Sequence, residues 1–165
     1  MRIVDKILKV VDVLKEVESV GKGNDFEKYV VDLFDDRYFS IVQWTTDITR
    51  KHDRFVESDA GPDLIIRYKP KDETFCVECK FRSDLYEGKL HWSTSQQLRR
   101  YQTFAKEKDL PFFTIIGLGG SSSHPKRMFC IPLNEAKYPA LFPSLFEKFE
   151  REPKKNFFWK NGVLK

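Results

Sequence analysis

The chain has 165 residues, 41% hydrophobic and 15% aromatic with fifteen Phe, and a formal net charge of +4. That composition excludes a disordered tail and fits one folded domain with an aromatic-rich core. No apolar run approaches the ~20 residues of a membrane span, and Asp5, Lys6, Lys9 and Asp12 interrupt the N-terminus, so neither a spanning segment nor a signal peptide is expected and the expectation is a cytoplasmic protein.

In chain order, Ile3, Ile7, Val10, Val11, Leu14 and Val17 recur at helical spacing over residues 1–20, and Gly21-Lys22-Gly23 is expected to end that helix. The stripe suits either a dimer contact or, the favoured use, a cover over the chain's own sheet. Asn24 opens a second helix whose Phe26, Tyr29, Val30, Leu33 and Phe34 share one face, with Asn24 and Glu27 spaced as a capping box. A strand is predicted over Phe39–Thr46, a polar loop over Asp47–Ala60, and a hairpin from Leu64–Tyr68 and Phe75–Phe81. Residues 83–92 read as a polar connection to a helix over Thr94–Lys108, with Ser93 and Gln96 as its capping box. Phe112–Leu118 is a buried strand, Gly117–Ser123 a turn, and Met128–Ile131 another strand. Residues 133–152 read as helical in part, with Pro139 and Pro143 limiting its continuity, and Asn161-Gly162 as the turn of a terminal hairpin that tucks Phe157 and Trp159 into the core.

The chemistry concentrates in two places. Side chains alternate along a strand, so Glu78 and Lys80 face one way while Val77, Cys79 and Phe81 face the core. Asp63 follows Gly61-Pro62 at the mouth of the preceding strand. A plainer reading makes Glu78 and Lys80 a surface ion pair contributing about 0–1 kcal/mol, and Asp63 a turn residue. Cys76 and Cys79 form a Cys-x-x-Cys, but positions three apart on a strand point to opposite faces. With no second pair, they read as buried bystander thiols rather than a zinc or redox site.

Pro62-Asp63, fourteen intervening residues, then Glu78-Cys79-Lys80 resembles the PD-(D/E)XK nuclease superfamily, which includes restriction endonucleases and archaeal Holliday-junction resolvases. Glu27 matches the acid many members carry on a preceding helix, and Gln97 with Tyr101 matches the Gln-x-x-x-Tyr of resolvase-like branches; the likeness spans about Gly23 to Leu118. The resemblance implies an α/β (α+β) restriction-endonuclease-like core, a central mixed sheet flanked by helices in the order α-β-β-β-α-β. One domain would cover residues 1–165: an N-terminal helix (1–20), the core (23–132) and a C-terminal extension (133–165). It further implies a Mg2+- or Mn2+-dependent endonuclease acting on DNA. Asp63, Glu78 and the Cys79 carbonyl would be metal ligands, Lys80 would orient the attacking water, and Glu27 would take part through water or a second ion. Gln97 and Tyr101 would border the site, with Arg99 and Arg100 contacting phosphates. A homodimer would suit a chain with no separate recognition domain. A catalytically silent nucleic-acid-binding domain and an RNA-directed nuclease are the alternatives.

Overall fold

The computed structural model describes residues 3–45 and 61–165, with residues 12–22 described in backbone only. The chain runs α1 (Ile3–Asp32), β1 (Phe39–Trp44), β2 (Leu64–Tyr68), β3 (Glu73–Arg82), β4 (Leu90–His91), α2 (Ser95–Lys108), β5 (Phe112–Ser121) and β6 (His124–Pro132). After β7 (Ala140–Leu141) come the one-turn α3 (Pro143–Phe146), β8 (Glu150–Arg151) and the terminal hairpin β9 (Trp159–Lys160) and β10 (Val163–Leu164). Among the described residues six strands form one mixed sheet in the order β1-β2-β3-β5-β6-β8, in which β3 and β5 run parallel and the other neighbours antiparallel. The parallel pair is joined through α2, the crossover that parallel neighbours require.

Alternation along β3 divides the core into two layers. Phe75, Val77 and Cys79 pack against Phe26, Val30 and Phe34 of α1 and against Phe157 and Trp159 of the terminal hairpin. Cys76 lies on the opposite face with Leu98 and Tyr101 of α2, Ile116 and Phe129. The two thiols are therefore in different layers, as the strand argument expects. Trp159 stacks on Phe75 at 4.3 Å between ring centroids, and Phe157 stacks on Phe34 at 4.5 Å. The hairpin turns on Asn161 and Gly162, both at positive φ, the conformation that an Asn-Gly turn adopts at least cost. The element order α-β-β-β-α-β is present as expected.

Several expectations need correction. Gly21 and Gly23 do not end a helix: α1 runs unbroken for 30 residues. Glycine inside a helix costs only about 1 kcal/mol relative to alanine, and the buried face from Phe26 to Phe34 holds the distal half in place. Asn24 is thus mid-helix and caps nothing. The described part of the apolar stripe does not cover the sheet either, since Ile3, Ile7, Val10 and Val11 are exposed, as are Val4 and Leu8; the side chains of Leu14 and Val17 lie outside the described ones.

Residues 83–92 are not simply polar, because Leu90 and Trp92 are fully buried. The capping box of α2 uses Thr94 and Gln97, one residue later than the Ser93–Gln96 reading. The Gly117–Ser123 turn begins later, since β5 continues to Ser121. Gly117 is needed for packing: a Cβ there would lie 2.6 Å from the Phe26 ring. The expected loop at Asp47–Ala60 lies outside the described residues, as does Thr46 at the end of the first predicted strand. Among the described residues no helix is long and apolar enough to cross a membrane.

These two regions should respond oppositely to change. Trp159→Ala, which removes a ring stacked on the sheet, is expected to cost about 3–5 kcal/mol, whereas deleting residues 1–11 should leave the denaturation midpoint nearly unchanged. Urea titration of both variants checks this; a large loss on deletion would mean that the exposed stripe is buried in solution.

Candidate active site

The site forms where β2 ends. The last β2–β3 pair is Leu64 with Val77, so from residue 78 onward β3 has no β2 neighbour, while its other edge stays paired to β5 through Arg82. Two carboxylates take over the missing rungs. The Asp63 amide donates to Glu78 Oε2 at 3.0 Å, and the Cys79 amide donates to Asp63 Oδ2 at 2.8 Å. Each residue's carboxylate thus accepts a backbone N–H from the other strand. These charge-assisted bonds explain how Asp63 and Glu78 can be only 2% and 1% exposed. The N–H and C=O of one strand residue point to the same edge, so the Cys79 carbonyl faces the Asp63 side as well.

The second oxygen of Glu78 is also held. Tyr101 donates its hydroxyl to Glu78 Oε1 at 3.0 Å, and Lys80 Nζ stands 3.4 Å from the same oxygen and 5.9 Å from the Tyr101 ring. Glu78 and Lys80 therefore share the face that alternation assigns them, inside the α2 layer rather than on open surface. Glu27 reaches the site from α1, where it is buried and accepts from Trp44 Nε1 at 3.0 Å. Thr45 continues the wall by donating its amide to the Asp63 carbonyl at 2.8 Å.

The charge at this point registers on a neighbouring thiol. Burial pushes the Cys79 thiol well above its ordinary pKa, and the negative charges of Asp63, Glu27 and Glu78 push it further, partly offset by Lys80. Three carboxylates on α1, at the mouth of β2 and on β3 thus act on one backbone position. Cys76 and Cys130 are pushed up to about 12 by burial alone or nearly so.

Among the described residues, no three His, Cys, Asp or Glu side chains stand close enough to hold a metal ion by themselves. A hard cation asks for less. Magnesium keeps several waters and takes one or two carboxylates, so Asp63, Glu78 and the Cys79 carbonyl are a fitting all-oxygen set. The Cys76–Cys79 pair offers no zinc alternative, being buried in separate layers.

Not every sequence candidate arrives here. Gln97 is occupied in the capping box of α2: its Oε1 accepts from the Thr94 amide and its own amide donates to Thr94 Oγ1. Arg99 and Arg100 are exposed and line a shallow depression with Gln96, Thr103, Phe104 and Glu107, none of which belongs to the carboxylate cluster. The structure adds two residues that sequence reasoning passed over. Trp44 orients Glu27, and its only signal was an aromatic at a strand end. Arg82 follows Lys80 on the same face of β3, a position that i, i+2 alternation marks, and donates to the carbonyls of His91 and Trp92.

No family model and no curated protein matches the chain. Among solved structures, Hjc, a Holliday junction resolvase from the archaeal hyperthermophile Archaeoglobus fulgidus, matches 78% of this chain and 92% of its own. The TM-score is 0.52 at 15% sequence identity. The chain shares its fold with that neighbour. At that identity the likeness fixes the arrangement of sheet and helices, and the chemistry rests on this chain's own residues.

The thiols give a direct check on the site's burial. All three should resist a thiol reagent at pH 8 in the folded protein and react together once it unfolds. Because a raised thiol pKa favours the folded state only while the thiol is protonated, stability should fall as pH climbs from about 9 toward 12. One fast-reacting thiol at pH 8 would contradict the packing around β3.

Proposed function

We propose that the protein is a divalent-metal-dependent endonuclease that hydrolyses phosphodiester bonds in DNA. The observation that carries this reading is the pair of amide–carboxylate bonds, Asp63 amide to Glu78 and Cys79 amide to Asp63, with Lys80 and Tyr101 on the second oxygen of Glu78. An incidental surface ion pair would have neither this burial nor four donors arranged around two carboxylates. In a silent binding domain the acids would serve only to close the β2–β3 ladder, a task a neutral acceptor could perform without the desolvation cost of a buried charge.

Asp63, Glu78 and the Cys79 carbonyl are the ligands we assign to Mg2+ or Mn2+. Bound there, the ion supplies a Lewis acid for the phosphate and a water acidic enough to attack near neutral pH. The protein does the positioning. Tyr101 and the Asp63 amide fix both Glu78 oxygens, so the carboxylate cannot rotate away from the cation site. Lys80 presents its ammonium beside that carboxylate, where it donates to a non-bridging phosphate oxygen or orients the attacking water. Glu27, held by Trp44, contributes through a water or a second ion. In-line attack at phosphorus breaks the bond to the leaving oxygen, and the proton from the attacking water passes to solvent or phosphate.

Lys80→Ala should lower cleavage in Mg2+ by about 10²–10⁴-fold while leaving DNA affinity in Ca2+ nearly intact. Asp63→Asn should lose both metal affinity and rate, and Tyr101→Phe should lose about 10–100-fold by releasing Glu78. Cleavage and gel-shift assays on duplex, branched and single-stranded DNA and on RNA make the comparison. Wild-type cleavage by Lys80→Ala, or full activity in excess chelator, would refute the mechanism; preferential cutting of RNA would reassign the substrate.

A further inference from the structure

The connection from β3 to α2 carries a small module of its own. Tyr86 and Lys89 exchange backbone hydrogen bonds of 2.9 and 3.0 Å across Glu87 and Gly88, both at positive φ, which makes a tight two-residue turn. β4 then pairs with β7, Leu90 opposite Leu141 and His91 opposite Ala140. Leu90, Leu141 and Trp92 anchor its inner face in the α2 layer, all three essentially fully buried. Alternation turns Lys89, His91 and Phe142 outward.

On that outer face the Tyr86 ring meets the His91 ring edge-on at 5.4 Å and 71°, and Lys89 Nζ lies 4.9 Å from the centre of the Phe142 ring. Tyr86, Tyr138 and Phe142 are 64%, 68% and 59% exposed. Single exposed rings are ordinary on any protein surface. Three in one module with a lysine and a histidine, on a support whose inner side is locked into the core, form a prepared surface.

We propose that this face is a stacking platform for unpaired bases of the nucleic-acid strand held at the active site; the proposal rests on the nuclease reading and extends it to a substrate class. The module is tied to the carboxylate cluster by two routes. Arg82, two residues beyond Lys80 on the same face of β3, donates Nε to the His91 carbonyl at 2.7 Å and Nη2 to the Trp92 carbonyl at 3.1 Å. Trp92 stacks on Tyr101 at 6.0 Å and 22°, and Tyr101 holds Glu78. Arg82 lies four residue steps along β3 from Glu78, about 13 Å, a few nucleotides along a strand.

The spacing and chemistry of the face select its occupant. Positions 89 and 91 are about 7 Å apart along the strand, so the Tyr86–His91 pair and the Phe142 ring stand side by side, each able to take one base. The residue opposite His91 is Ala140, whose side chain is too small for an apolar peptide anchor. Rings beside an ammonium match a base and its phosphate, and stacking tolerates any sequence because every base has a π-face. Paired bases inside a duplex present no such face. The substrate class is therefore DNA with an unpaired segment at or near the cut, such as a branch, a flap or a splayed arm.

The test measures binding in excess chelator, without catalysis, using a splayed-arm DNA with 2-aminopurine in the unpaired arm, the matching duplex and a single strand. Wild-type protein should quench the 2-aminopurine and prefer the splayed arm. The double substitution Tyr86→Ala, Phe142→Ala should lose the quenching and about tenfold or more in splayed-arm affinity, with duplex affinity, duplex cleavage and thermal midpoint unchanged. Tyr86→Trp should retain both signals. Equal splayed-arm affinity in the double variant overturns the proposal, as does an equal loss on duplex and splayed arm. If the wild type stacks the unpaired arm but cuts nothing in Mg2+, the nuclease reading fails and the platform stands; if it cuts duplex and ignores the arm, the platform alone fails.

Discussion

β2 ends opposite Val77 while β3 runs on to Arg82, and the rest of the site depends on how the exposed ladder is closed. A buried backbone amide without an acceptor costs about 1–3 kcal/mol, so Asp63 and Cys79 need partners at a point where no strand supplies carbonyls. Carboxylates fill the positions, and the burial that would penalise a lone charge is offset by the amides it accepts. Structural need and chemical provision coincide here. The groups that close the sheet are hard oxygen donors, gathered beside a main-chain carbonyl that faces the same edge.

The two layers of the core serve that point from opposite sides. On one, α1 packs Phe26 across Gly117 and brings Glu27 to the cluster. On the other, α2 packs Leu98 and Tyr101 onto the sheet, and the Tyr101 hydroxyl fixes Glu78. The stacked and edge-on rings among Phe34, Phe39, Phe75, Phe157 and Trp159 give the first layer a rigid floor under β2 and β3. That is where Phe34, Phe39, Phe75 and Phe157 act: they pack beneath the strands whose ends carry the carboxylates.

What could be read from the sequence follows the range of the interactions involved. Strand alternation is local, so the shared face of Glu78 and Lys80, the divergence of Cys76 and Cys79 and the β2–β3 hairpin were all legible. The Asn-Gly turn at 161–162 was legible for the same reason. The continuity of α1 was not, because two glycines look like a stop until the packing of the next two turns is known. Trp44 as the partner of Glu27, and Arg82 as the clamp on residues 91 and 92, depend on contacts between elements distant in the chain. No local pattern encodes them.

Gln97 shows the limit most clearly. Its spacing to Tyr101 puts both on one helix face, which is correct, yet spacing says nothing about which groups compete for a side chain. An amide four residues before Tyr101 is also the third residue of α2, where a glutamine closes a capping box with Thr94. The helix start is nearer than the carboxylates, and its unpaired amide is in place as soon as the first turn forms. Gln97 therefore closes the first turn of the helix that carries Tyr101, and it is the packing of Leu98 and Tyr101 in the core that seats that helix beside Glu78.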